Sequence, residues 1–86
     1  MKLLLYVTGQ TRRARRAIDI VRAALAEIDD GTLELEIVDV AVSPDRADAD
    51  RILATPTLVL IGPRSRMRLV GDPTRERLID LVLGQS

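Results

Sequence analysis

The chain has 86 residues, enough for a single domain over 1–86, and at this size folding removes only about 60% of the unfolded chain's surface from water. Apolar residues make up 47% of it, yet there is no Phe or Trp and Tyr6 is the sole aromatic, so the core is expected to be Leu, Ile, Val and Ala, with self-association able to supplement it. Thirteen basic residues balance thirteen acidic ones, which argues against nucleic-acid or membrane partners held by net charge, and the lack of Cys and His excludes disulfides, thiolate catalysis and the commonest general base and metal ligand.

Leu3-Leu4-Leu5-Tyr6-Val7 is apolar on both faces, as expected of a central strand covered by helices. The run is too short for a signal-peptide core or a membrane span, so the chain is expected to be cytoplasmic. Thr8-Gly9-Gln10-Thr11 reads as a turn with Thr11 as N-cap. Ala14, Ala17, Ile18, Val21, Ala24, Leu25 and Ile28 then recur at spacings of three and four, which predicts an amphipathic helix. Arg12, Arg13, Arg15 and Arg16 crowd its start, where the helix dipole disfavours cations by a few tenths to about 1 kcal/mol. Such a cluster is either a solvated face, offset by Asp19, or a surface for an acidic partner.

Asp29-Asp30-Gly31 ends that helix, and Leu33, Leu35 and Ile37 alternate with Glu34, Glu36 and Val38 in a second strand. Ser43-Pro44-Asp45 predicts a capped helix that stops before Pro56. Residues 57–61 form a third strand and 66–70 a fourth, joined by the turn Gly62-Pro63-Arg64-Ser65. Met67 and Leu69 then share one face, Arg66 and Arg68 the other. Gly71 supplies backbone freedom after the fourth strand. Asp72-Pro73 is expected to repeat the cap-then-proline device, ahead of a last helix whose apolar side is Leu78, Ile79, Val82 and Leu83.

The order βαβαββα predicts an α/β domain with a mixed four-stranded sheet of order 2-1-3-4, because the first two strands need a right-handed parallel crossover and the last two form a hairpin. Thr55-Pro56 at the entry to the third strand is where thioredoxin-like folds place a cis-proline. Their redox thiols would lie in the loop after strand one, where this chain has Gln10-Thr11-Arg12-Arg13. That combination predicts a binding protein without catalytic residues. The sequence contains no G-x-x-x-x-G-K-[ST] or G-x-G-x-x-G, and Asp45, Asp48 and Asp50 are explained by helix dipole and solubility without a metal, so no cofactor is expected.

Leu5-Tyr6-Val7-Thr8-Gly9-Gln10-Thr11, Val38-Asp39-Val40 with Pro44 beyond it, Ile52-Leu53-Ala54-Thr55-Pro56-Thr57-Leu58 and Val70-Gly71-Asp72 together resemble the KaiB family of circadian-clock proteins. The resemblance implies a non-enzymatic protein that binds a KaiC-type hexameric ATPase, in a clock or stress-adaptation system. It also implies fold switching, between a tetrameric ground state with a rearranged second half and a monomeric thioredoxin-like state. Arg16 matches a family arginine at a partner surface, Arg51 stands where the family has a lysine, and Arg68 matches a basic position on the last strand. Thr55, Pro56, Gly71 and Asp72 are the structural or switch positions on this reading. The alternative is a thioredoxin-like sensor module similar to the input domain of the histidine kinase SasA.

Overall fold

The computed structural model describes residues 1–29 and 31–84. Asp30, within the expected helix end, lies outside the described residues, as do the last two positions. The elements are β1 (Lys2–Val7), α1 (Arg12–Ile28), β2 (Glu34–Asp39), α2 (Pro44–Ala49), β3 (Thr57–Ile61), β4 (Arg66–Val70) and α3 (Arg75–Leu83). They form one mixed sheet of order β2-β1-β3-β4, with β1 and β2 parallel and the other pairs antiparallel, in the expected thioredoxin-like arrangement.

Two cores follow from the alternation of side chains along β1. Leu3, Leu5 and Val7 point to one face, where they meet Leu58 and Leu60 of β3 and the apolar stripes of α1 and α3. Leu4 and Tyr6 point to the other, where Val38, Val59 and the half-buried Val40, Ile52 and Ile61 complete a smaller cluster on the α2 side. The registers place Leu5 beside both Ile37 and Leu58, so the central strand is paired on both edges and buried on both faces. On β2, Glu36 is held by Arg46 of α2 and by Lys2, 3.0 Å away. These partners, Arg46 first, hold the Glu36 carboxyl down at about 2.

Helix ends show where local sequence signals compete with tertiary contacts. Thr11 caps α1 as expected, its Oγ1 accepting from the Ala14 N–H at 3.1 Å. The Asp29 side chain closes the opposite end by accepting from the backbone N–H groups of Gly31 and Leu33. Ser43, expected to cap α2, makes no side-chain cap bond. The turn is instead organised by Asp39, whose Oδ1 accepts from Gly9 and Ala41 and whose carbonyl accepts from Val42 and Ser43. Asp72 is likewise not a cap: Thr74 is, accepting from the Arg77 N–H at 3.2 Å, while Asp72 pairs with Arg13. Pro73 is buried ahead of the first turn. Because α3 starts at Arg75, its buried stripe is Leu78, Leu81 and Val82, and Leu83, expected to be apolar-side, is 59% exposed.

Cap contributions separate cleanly by measurement. In urea unfolding, Thr74→Ala is expected to cost about 1 kcal/mol, the usual value of a lost N-cap, and Ser43→Ala only a few tenths. Equal losses at the two positions would contradict the assigned caps.

Candidate partner-binding surface

At the C-terminal end of β1 the chain turns through Thr8 and Gly9, which has φ of 60°. This turn meets the segment that leads into β3, where the Thr55-Pro56 bond is cis. The Oγ1 atoms of Thr8 and Thr55 lie 2.6 Å apart, a hydroxyl pair that ties the turn after β1 to the loop before β3. Pro56 and Thr57 are buried, and Thr57 Oγ1 donates to the Ala54 carbonyl at 2.7 Å, pinning the loop from below. The residues just before them turn outward. Leu53 is 97% exposed and Val42, on the neighbouring turn, 77%. A cleft of about 290 Å³ lies among Thr8, Val40, Pro44, Ile52, Leu53 and Thr55. Burying a leucine from full exposure is worth about 1.5–3 kcal/mol, so this loop carries binding energy that folding leaves unused.

The segment preceding this loop is held by a polar clasp. The Asp50 side chain, 15% exposed, accepts from the Tyr6 hydroxyl and pairs with Arg66 of β4. Arg68, next but one along the same strand, donates to the Asp50 carbonyl at 2.7 Å and to the Arg51 carbonyl at 3.2 Å. It thereby satisfies carbonyls at the end of α2, where a cation also suits the helix dipole. Arg51 has φ of 54°, a left-handed conformation that costs a non-glycine residue about 1–2 kcal/mol. Clasping its carbonyl offsets that cost and fixes the direction in which Ile52 and Leu53 leave the helix. Among the described residues, the Arg51 guanidinium itself has no hydrogen-bonded partner.

Arg16 lies elsewhere. It lines a groove of about 770 Å³ between the start of α1 and the start of α3, with Arg12, Arg13, Asp72 and Arg75 around it. Arg13 Nε donates to Asp72 at 2.7 Å and holds its carboxyl below the usual range, with a smaller contribution from Arg16. Since α1 packs on one face of the sheet and the Arg68 clasp on the other, the three arginines singled out in sequence do not form one patch. Arg51 and Arg68 meet; Arg16 does not join them.

The family model for the KaiB domain matches residues 4–85. The chain belongs to the KaiB family. It is 42% identical over 78 residues to the circadian clock oscillator protein KaiB of Prochlorococcus marinus strain MIT 9313, an alignment that covers 90% of this chain and 66% of that protein. The chain thus spans just under two thirds of that relative's length. Among solved structures it is similar to the N-terminal domain of Synechococcus elongatus SasA, with a TM-score of 0.81 and 28% identity over 99% of this chain and 84% of that one. Thioredoxin 1 of Thermosipho africanus shares the fold alone, with a TM-score of 0.80 at 13% identity over 98% and 92% of the two chains.

Within this KaiB-family chain, the Leu53 exposure and the Asp50 clasp were not signalled in sequence. Leu53 stands in sequence only as part of the Ile52-Leu53-Ala54 run ahead of Thr55-Pro56, and Asp50 reads as one more helix acid. What distinguishes them is the bend at Arg51, a long-range consequence of β4 arriving beside α2. Gly71, with φ of 99°, donates its N–H to the Pro56 carbonyl at 2.9 Å, tying the end of β4 to the same loop.

The clasp is directly measurable, because Tyr6 is the only aromatic residue. Burial, followed by the bond to Asp50, raises its hydroxyl pKa from 10.0 to about 12. The raised value means that the neutral phenol is the folded form. Its stabilising contribution is complete below the unfolded pKa near 10 and is lost as pH rises through about 12. An ultraviolet absorbance titration is expected to show ionisation late and coupled to alkaline unfolding. In Asp50→Asn it should move back toward the ordinary value; a normal titration in the parent protein would remove the clasp from this account.

Proposed function

We propose that this chain is a non-enzymatic regulatory protein that binds a KaiC-type hexameric ATPase, in a circadian-clock or stress-adaptation system. The reading rests on membership of the KaiB family and on relatives named as circadian clock oscillator proteins. The observation that carries it is Leu53, an almost fully exposed leucine on a loop braced from beneath by Pro56 and Thr57. An exposed apolar side chain on a braced loop, flanked by an Arg51 guanidinium that has no partner among the described residues, suits an interface anchor with a charged neighbour. Thr8 and Thr55 supply hydroxyls at this rim, so the surface serves recognition. Arg68 acts as a positioning residue, orienting the loop through the Asp50 and Arg51 carbonyls. The same reading makes the chain a single KaiB-like domain of the cytoplasm.

The second part of the proposal is fold switching, with a self-associated ground state exchanging with the thioredoxin-like state described above. Support comes from the division of the molecule. The first half is anchored by β1 and the long α1, whereas α2 has only six residues, too few to be stable as an isolated helix, and depends on the clasp. Two packings of the second half within a few kcal/mol would suffice. A second reading, a sensor module like the SasA N-terminal domain, is favoured by that domain's coverage of nearly the whole chain.

Size-exclusion chromatography with light scattering, on the protein alone and with an ATP-loaded KaiC-family hexamer from the same genome, tests the first part. A stoichiometric complex is expected, weakened about tenfold or more by Leu53→Ala or Arg51→Glu, the size typical of a lost interface anchor. Absence of a complex in the parent protein would sink the reading; a complex indifferent to both variants would move the interface. For the switch, amide NMR is expected to show two slowly exchanging peak sets for residues beyond about Val40, and a single set under all conditions would argue for one fold.

A further inference from the structure

We infer that the open edge of β4 is a strand-addition site for an extended, acidic protein segment. β4 is the last strand of the sheet, and among the described residues no strand pairs with its outer side. The ladder to β3 fixes which backbone groups that leaves over. Gly62 donates to the Ser65 carbonyl at one end of the hairpin and Gly71 to the Pro56 carbonyl at the other, both at 2.9 Å. Hydrogen-bonded pairs alternate with open ones in an antiparallel ladder, so Leu60 with Met67 and Leu58 with Leu69 are the bonded pairs between those ends. The N–H and C=O groups of Arg66, Arg68 and Val70 therefore point away from the sheet, a row of donors and acceptors ready for another chain.

Exposed edge strands are usually guarded by charged side chains, and here the charges are drawn aside. Arg66 is turned onto Asp50, and Arg68 onto the carbonyls of Asp50 and Arg51, so both guanidinium groups lie over the α2 face of the sheet. Val70 on that face is 55% exposed and Met67 on the opposite face 45%, so apolar surface flanks the bare backbone on both sides. Charge selects the occupant. Arg64, Arg66 and Arg68 stand within five residues; among the described residues Asp50 is the one carboxylate bonded to any of them, and Arg64 has no partner. A second copy of β4 would bring its own arginines to the same edge, and like charges across strands are destabilising. A nucleic acid cannot complete a ladder that needs a donor and an acceptor in turn. A segment alternating Glu with Val does both, its carboxylates beside Arg66 and Arg68 and its valines beside Met67 and Leu69. The strand lines neither the Leu53 cleft nor the groove that holds Arg16, so this site stands whether or not the ATPase reading holds.

The test uses the whole protein and a short fluorescein-labelled peptide alternating glutamate and valine. Saturable binding by anisotropy is expected, weaker as salt rises. Amide hydrogen exchange should slow at Arg66, Arg68 and Val70 and stay as it was at Met67 and Leu69, whose N–H groups already serve β3. N-methylation of alternate peptide amides, made in both phases, removes donors and leaves charge untouched; in one phase it should weaken binding about tenfold or more, the value of one or two lost hydrogen bonds. Val70→Pro, which deletes an outward N–H, should weaken binding similarly with the β3 ladder kept. Leu53→Ala should leave it unchanged, which separates this site from the ATPase surface. The inference is overturned if nothing saturates, if both N-methylated peptides bind as well as the parent, if protection does not alternate along β4, or if a peptide with lysines replacing the glutamates binds as tightly. It also fails if a short single-stranded oligonucleotide displaces the peptide from these amides. Self-association of the free protein with the same alternating protection would instead give the edge to a second copy of the chain.

Discussion

Every other element takes its place from β1. Among the described residues it is the only strand paired in parallel on one edge and antiparallel on the other, and its five apolar residues are buried on both faces. A strand in that position admits no slip of register, since a shift by one residue would exchange the two cores. The parallel neighbour requires a crossover, which α1 provides, and the antiparallel neighbour can be entered only from the end where β1 leaves the sheet. That places the loop before β3 against the turn after β1, and so brings Thr55 to Thr8.

The two faces of the sheet are stabilised differently. One is covered by the long helix α1 and by α3, whose aliphatic stripes interlock with Leu3, Leu5, Leu58 and Leu60. The other has one short helix and a smaller cluster, supplemented by polar bonds that converge on Asp50 and by Arg46 with Glu36. Hydrophobic burial is non-directional, whereas a carboxylate that accepts from Tyr6 and Arg66 fixes an orientation. The clasp therefore does more to aim the chain after α2 than to hold the domain together. Its product is the left-handed turn at Arg51 and the outward leucine beyond it.

A fold widely used for thiol chemistry here presents hydroxyls, an exposed leucine and a basic groove. The hydroxyls and the leucine line one cleft, and the groove lies apart from them.

Sequence by itself determined the strand and helix order, the sheet topology, the α1 stripe and the position of Pro56, because these depend on local periodicity, chirality and backbone geometry. The motifs around Tyr6, Asp39, Pro56 and Gly71 were likewise sufficient to suggest the family. Only the tertiary structure decided which polar residues cap which helix. Asp72 has the right residue type at the right spacing, yet Arg13, 59 residues away, offers a competing partner, while the turn before α2 is organised by Asp39 and not by the Ser43 side chain. The same holds for the arginines. Arg16, Arg51 and Arg68 look alike along the chain, but the sheet separates the first from the others and the end of α2 occupies the guanidinium of the last. Side-chain pairing between remote segments is set by how the two faces pack, and no local pattern encodes it.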